Sequence, residues 1–475
     1  MNSLQTEFDL VIVGLGAAGL AAAVAHIEAR EVAHLPVSLL MLESAPPELR
    51  GGATRWTTAM LRAMPDLRLD PLYVGKMEEV SKGLADLDYC RAFEKESRET
   101  LQFIERHGVE LIHLPTDLAQ GMEHKVKPNG GGLAIIDKLA AVVERTEGAE
   151  ILYRHEALRL SLSADGEIDG IVVRGDDGRL KTFNARDVLL ACGGFEGNAE
   201  MLTRYLGNSA CDLKLLAPGL AYNKGAGIRM AQELGAATSG QFDMVHSELV
   251  DVRTDRPDAV IYGHPFGILV NQKAQRFFDE GIGTYEETFE LAAFEVWKNQ
   301  KQSAFFIADQ TLKRFRAVFR LFDSDREPVE ADTLGELAAQ LGLDPEALEA
   351  TVEGFNAAVG SGEFDPRRRD GKATEGIEPP KSNWAYPLVN PPFFAYPLTT
   401  AICFTYGGLK TDSRGRVLSE SGIVIPGLHA AGEIVGVSYH EYLGATSVFR
   451  SLAFGRLVGA LTARATDATC VGQPA

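Results

Sequence analysis

The chain is poor in cysteine, has no concentration of positive charge and contains no apolar run long enough to cross a bilayer. Its five cysteines, Cys90, Cys192, Cys211, Cys403 and Cys470, are scattered, odd in number and free of any C-x-x-C pair. That pattern argues against a disulfide framework, a zinc site, a dithiol redox centre and haem or iron–sulfur ligation, and it predicts a reducing, cytoplasmic setting. Cys192 and Cys403 fall inside apolar strand-like segments, where packing is expected rather than reactivity. Lys and Arg number 47 against 66 Asp and Glu, for a formal net charge of −19. Such a surface repels phosphate backbones and anionic lipid, so no nucleic-acid partner is expected. The uncharged stretch Leu10 to Ala25 has no basic flank, is too short to span a membrane and carries three glycines, so neither a signal peptide nor a transmembrane segment is read there. What remains is an ordinary globular balance of 45% apolar and 24% charged residues. At 475 residues, two or more lobes are expected.

Asp9 to Gly14 is a short, β-branched apolar run, followed at once by Gly14-Leu-Gly16-Ala-Ala-Gly19 and an alanine-rich helical stretch. The order strand, tight turn, helix is what dinucleotide binding requires. Gly14 permits the turn, Gly16 lets backbone approach a pyrophosphate, Gly19 lets helix and strand pack closely, and the helix N-terminus faces the anion. A second apolar strand, Val37 to Leu42, ends in Glu43, whose carboxylate suits a ribose diol and disfavours a 2′-phosphate. The gap from Gly14 to Glu43 exceeds the usual ~20 residues, and a longer connection around Glu28 to Pro36 is expected to hold the excess.

Which dinucleotide is bound is decided by the next segment. Arg50-Gly51-Gly52-Ala53-Thr54-Arg55-Trp56-Thr57-Thr58 offers backbone N–H and hydroxyl donors for a second phosphate and a ring system, an element with no place in NAD enzymes. Downstream, Val188 to Asn198 and Gly427 to Glu433 are apolar strands ending in glycine. The reading is FAD.

Taken together, these segments resemble the flavoprotein group that includes fumarate reductase, 3-ketosteroid dehydrogenase, urocanate reductase and tricarballylate dehydrogenase. The resemblance covers almost the whole chain. It rests on the N-terminal glycine motif with Glu43, Gly51-Gly52-x-Thr54, Ala191-x-Gly193-Gly194-Phe195, Asn223-x-Gly225-x-Gly227 with Gly235-Ala236, Asn271 to Glu280, and Ala431-Gly432-Glu433 through Gly455-Arg456, all in that group's order. It implies an α/β fold: a Rossmann-type FAD-binding domain in two chain segments, residues 1–240 and 397–475, with an inserted α+β capping domain at 241–396. Within the cap, Thr333 to Ala339 and Asp344 to Val359 read as helices, followed by a hydrophilic loop from Gly360 to Asn383. Cofactor contacts are implied at Gly14, Gly16, Ala17, Ala18, Gly19, Glu43, Ser44, Arg50, Gly51, Gly52, Ala53, Thr54, Thr57, Thr58, Ala157, Gly193, Gly194, Asn198, Gly432, Glu433, Gly444, Ser447 and Val448. Members that tether FAD use a histidine after the paired glycines. Arg55 and Trp56 stand there instead, so non-covalent FAD is expected.

Enzymes of this group move a hydride at one carbon through the flavin and a proton at the next, so the protein must supply a proton donor or acceptor and polarise the substrate. Fumarate-type members place an arginine a few residues past the motif that reads Arg276 to Glu280 here; Thr284 and Tyr285 occupy that place. Two further positions that carry histidine and arginine in fumarate reductases read Cys403 to Gly408 and His440 to Gly444. A dicarboxylate clamp is therefore missing, and the segments around Phe394 and Phe404 are most similar to the tricarballylate dehydrogenase branch. Tyr285, Tyr442, His440 and Tyr406 are the candidates for proton transfer or carbonyl polarisation, His440 being the side chain that titrates nearest neutrality. His246, preferred over His264, is the candidate substrate-facing histidine of the cap, with Arg62, Thr405 and Arg450 also expected at the substrate; Arg55 is a further available cation. The resulting expectation is a dehydrogenase or reductase acting on a C–C bond beside a carbonyl or carboxyl group of a small organic substrate. The alternatives are a flavin oxidase or monooxygenase, or a flavoprotein that passes electrons to a separate partner, quinone or soluble carrier.

Overall fold

The computed structural model describes residues 7–114 and 124–464; Cys470 lies outside them. The first strand, β1 (Glu7–Val13), has its centre buried on both faces, as a parallel strand sandwiched between helices must be. It turns through Gly14 into α1 (Ala17–Val32). The next strand, β2 (Leu39–Glu43), is wholly buried and pairs in parallel with β1, Leu10 opposite Leu39 and Val13 opposite Leu42. The excess spacing before Glu43 resides in the helix, which continues to Val32, and not in the short connection that follows.

Beyond β2 the sheet adds β3 (Ala149–Tyr153). On the other side of β1 come β4 (Leu180–Leu190) and, past it, a strand supplied from far down the chain, Val424–Ala430. The strand order thus reverses at β1, and the crevice at its C-terminal end is where such sheets bind ligands. The last helix, Ser447–Thr462, closes the layer against α1. A Cβ on Gly455 would lie 2.1 Å from the Ala18 carbonyl oxygen, and one on Gly459 would lie 2.0 Å from that of Ala22. Alanines on one helix and glycines on the other therefore allow backbone contact.

A second, six-stranded sheet is organised around one long strand, Phe393–Thr405. It pairs antiparallel with β5 (Val245–Asp251), with β6 (Ala304–Asp309) and with Val329–Ala331. The helix α2 (Tyr285–Asn299) covers this sheet and is started by a capping box in which Thr284 and Glu287 satisfy each other's backbone N–H. Leu334–Leu341 and Pro345–Ala358 are helices, as the pattern predicted, with N-caps at Thr333 and Asp344.

Candidate active site

Two adjoining cavities lie at the C-terminal edge of the first sheet, one of about 400 Å³ and one of about 190 Å³. They share Ala53, Thr54, Glu433 and Ser451 as walls, so the two lie side by side as a wider and a narrower part of one site.

The wider part follows the glycine turn. Gly14 is held at φ 106°, and a Cβ there would meet the Ala191 carbonyl oxygen at 2.4 Å. Gly19 approaches the Gly14 carbonyl so closely that a Cβ would lie 2.0 Å from it. Gly16 is different, since its Cβ direction is open, with nothing nearer than 3.8 Å. This opening is what backbone approach to a pyrophosphate needs. Glu43 is buried at the floor, accepting from the backbone N–H of Leu15 at 3.2 Å and of Ala45 at 2.9 Å, and burial raises its pKa. Ala17, Ala18, Ser44, Gly52, Ala157, Gly193 and Gly432 also line this part. His155 lines it too, and its Nε2 is buried without a hydrogen-bond partner among the described residues. A cradle that only glycine can form, a buried acid and an unpaired ring nitrogen fit the ADP half of a dinucleotide.

Other expected cofactor residues sit beside the cavity rather than in its wall. Arg50 pairs with Glu144 at 2.5 Å and Asp137 at 3.3 Å. Asn198 caps the helix Ala199–Leu206, and Gly51 and Gly194 pack behind their lining neighbours Gly52 and Gly193.

The narrower part is lined by Thr57, Thr58, Gly444, Ser447 and Val448 on the side of the first sheet, and by residues of the second sheet and of α2 opposite. Tyr285, Tyr442, His246 and Arg450 are in its wall. The Tyr442 oxygen accepts from the backbone N–H of Thr446 at 2.9 Å and of Ser447 at 3.0 Å. Its own O–H is thereby left free to point elsewhere. Tyr285 donates to Glu286 at 3.0 Å, and burial together with that carboxylate pushes its pKa up. Arg450 is buried, donating to the Gly432 carbonyl and the Tyr89 hydroxyl. Arg62 is buried next to the cavity, anchored on the Gly444 carbonyl at 3.0 Å and paired with Asp70 at 3.4 Å.

Three expected residues, His440, Tyr406 and Thr405, are placed otherwise, and His264, passed over in favour of His246, lines neither cavity. His440 is exposed and in neither cavity wall; its backbone is at φ 61° and its N–H donates to Gln241. Tyr406 is buried behind the wall, bonded to both carboxylate oxygens of Glu290 at 2.7 Å. Thr405 donates its backbone N–H to Glu433 at 3.0 Å. His264 is buried on Thr288, its pKa lowered to about 3 by burial and by Lys381.

The narrower part also holds groups that no motif indicated. Lys125, from the strand Lys125–Pro128, forms a buried ion pair with Glu286, and burial lowers the Lys125 pKa despite that partner. Glu248, Asp258, Tyr262 and Phe289 line the opposite wall. Asp258 accepts the Thr58 N–H at 2.9 Å, and burial, helped by the nearby Glu248, raises its pKa to about 8. Glu290 accepts from His246 Nδ1 at 2.6 Å, from Tyr406 and from the Tyr442 N–H, tying three separate chain segments together. Burial opposes a charge on His246, but the neighbouring Cys403, Glu248 and Glu290 hold its pKa well above the usual range.

Residues 9–448 match the model of the FAD-binding domain family. The chain belongs to that family, and FAD is its cofactor. It is 28% identical over 392 residues to an NADH:acrylate oxidoreductase of Vibrio harveyi, an alignment covering 78% of this chain and 36% of that protein. The structure of a flavocytochrome c3 fumarate reductase in an open conformation matches with a TM-score of 0.78 at 23% identity, over 97% of this chain and 79% of that one. A 3-ketosteroid Δ4-(5α)-dehydrogenase of Rhodococcus jostii matches with a TM-score of 0.71 at 25% identity, over 98% of both chains. The chain spans 36% and 48% of two of the curated relatives it matches. Among the described residues, no helix is long and apolar enough to cross a membrane.

Proposed function

We propose that this protein is an FAD-dependent dehydrogenase or reductase that acts on the C–C bond next to a carbonyl or carboxyl group of a small organic substrate. The observation that carries this reading is the narrow cavity. It shares walls with the cofactor cradle and presents Lys125, Tyr285 and Tyr442, with Arg62 beside it, to whatever lies there. Bound FAD, held without a covalent tether, supplies the two-electron hydride chemistry. The chain's own groups do the rest. Lys125, backed by Glu286, takes an electron-rich oxygen of the substrate and stabilises charge that develops on it. The Tyr442 phenol, fixed by two backbone donors, moves the proton, with Tyr285 as the second candidate. His246 and the acids on the far wall orient the remainder of the substrate.

The division into an FAD-binding domain at 1–240 and 397–475 with a cap at 241–396 belongs to the same proposal, as do a cytoplasmic setting and a separate electron acceptor. The matched relatives support the reaction class, since their names include acrylate and fumarate reduction and ketosteroid dehydrogenation. Anaerobic titration of the oxidised protein with a panel of carboxylates, tricarboxylates, ketosteroids and enones, reduced and unsaturated, tests it. Bleaching of the flavin by at least one saturated substrate, or reoxidation of reduced flavin by its unsaturated counterpart, is expected. Rapid reoxidation by oxygen coupled to substrate hydroxylation would replace it with a monooxygenase.

A further inference from the structure

We propose that His246, Glu248 and Cys403 form a binding site for one divalent ion of the zinc class in the wall of the narrower cavity. The three residues are buried, and one donor atom from each lies within 4.8 Å of the others. An imidazole, a thiol and a carboxylate are the donor set that zinc selects over magnesium or calcium.

The backbone brings them together. His246 and Glu248 stand two residues apart on β5 and so share a face. Opposite them the pairing with Phe393–Thr405 slips: His246 faces Phe404 but Ser247 faces Ile402, leaving Cys403 as the extra residue of a bulge. The bulge re-aims Cys403, so that consecutive residues, Cys403 and Phe404, both line the cavity.

Three details fit a metal better than a hydrogen-bonded core. Glu248 Oε1 accepts from Tyr262 at 2.6 Å and lies 3.1 Å from His246 Nε2, whereas its Oε2 is buried with no partner among the described residues. A lone carboxylate oxygen in a buried site is a costly vacancy that a cation fills. His246 bonds through Nδ1 to Glu290 at 2.6 Å, which leaves Nε2 as the ligating nitrogen and reproduces the carboxylate–histidine–metal arrangement that orients and strengthens such ligands. Finally, Glu248, Glu290 and Asp258 surround this wall, and the cations Lys125, Arg62 and Arg450 belong to other parts of the cavity or its surroundings. With bonds of 2.0–2.3 Å, the edges of a tetrahedral site are about 3.3–3.7 Å. His246 Nε2 and Glu248 Oε1 lie 3.1 Å apart, so the imidazole and carboxylate need to part by only a few tenths of an ångström, and the sulfur needs to close by ~1 Å. Binding requires the Cys403 thiol and the His246 Nε2 each to give up a proton to solvent, as coordination ordinarily drives. The fourth position opens onto the cavity. There it takes water or a substrate carbonyl or carboxylate oxygen; only that substrate role rests on the proposed redox function.

The test uses the FAD-loaded full chain, stripped with a chelator and dialysed against zinc or cobalt(II). Elemental analysis is expected to find about one tightly held ion per chain. The cobalt form should show tetrahedral ligand-field bands to the red of the flavin absorption and a thiolate charge-transfer band in the near ultraviolet. C403S should lose the charge-transfer band, H246A should lose the ion, and E290Q should keep it with affinity lower by about 10- to 100-fold. Flavin content and the far-ultraviolet spectrum show that each variant has folded. Substoichiometric metal in the wild type, or unchanged binding in both C403S and H246A, overturns the site. Neither result bears on flavin bleaching by substrate, which tests the redox function separately.

Discussion

Replacing Gly16 with alanine adds one methyl group at the mouth of the cofactor cradle, where the nearest heavy atom, the Gly51 carbonyl oxygen, lies 3.8 Å from the new carbon. The backbone at Gly16, φ −71° and ψ −175°, is one that alanine adopts without strain. The unfolded chain loses freedom, which stabilises by about 0.4–1 kcal/mol, and the helix loses a slightly better N-cap, which costs a similar amount. The cofactor-free protein should therefore keep its stability within about 0.5 kcal/mol. Binding is another matter, because the methyl occupies the space a pyrophosphate needs, and FAD affinity should fall at least about tenfold, or ~1.4 kcal/mol. Gly19→Ala makes the contrast. Its Cβ would sit 2.0 Å from the Gly14 carbonyl oxygen against an ordinary contact of 3.4 Å, so the helix must move by over an ångström. Overpacking of that kind costs about 1–3 kcal/mol even without cofactor. Urea denaturation of the cofactor-free proteins and FAD titration by flavin fluorescence quenching separate the two effects. If G16A binds FAD as the wild type does, or if G19A unfolds at the wild-type midpoint, the assignment of this turn as the cradle is wrong.

Other perturbations address the narrower cavity and the core. Lys125→Ala leaves Glu286 buried without its partner and should lower stability by about 3–5 kcal/mol, whereas K125M/E286Q removes both charges and should recover most of that in denaturant melts without recovering turnover. Tyr442→Phe removes the oxygen that the Thr446 and Ser447 N–H groups share; kcat should fall about 10²–10⁴-fold with FAD affinity nearly unchanged, and an unaltered kcat would assign the proton to Tyr285. His26, buried between the first and last helices, has its pKa lowered from 6.5 to about 4, mainly by burial and then by Arg30 and Arg186. The unfolded chain therefore takes up a proton before the folded one does. The stability contributed by the neutral ring is complete above pH 6.5 and is lost between 6.5 and 4, by about 3 kcal/mol in all. H26Q should flatten that part of the curve of unfolding free energy against pH.

The cofactor half of the site was legible because its signals are local. A turn that demands glycine, a β-branched run before it and an alanine-rich helix after it sit within two dozen residues, and each follows from sterics that act over a few bonds. The helices Leu334–Leu341 and Pro345–Ala358 were legible for the same reason, through Thr333 with Glu336 and Asp344 with Pro345. The narrower cavity is built from pairs distant in the chain. Lys125 meets Glu286 across 161 positions, and Glu290 meets Tyr442 across 152. No periodicity encodes such partners. His440 shows the converse error, in which closeness in sequence stands in for closeness in space. It lies two residues from Tyr442, but a tight turn at positive φ sends its side chain outward while Tyr442 goes in. Cys403 was read as packing because its segment is an apolar strand, and only the register slip opposite His246 reveals that it faces a cavity.

The strand Phe393–Thr405 has a mechanical consequence. Its 13 residues form a strut of about 40 Å, clamped at one end by Asp309 and Ala331 and at the other by Glu433, which borders both parts of the cleft. The second sheet cannot shift along this strand without moving the Glu433 carboxylate in the wall of both cavities.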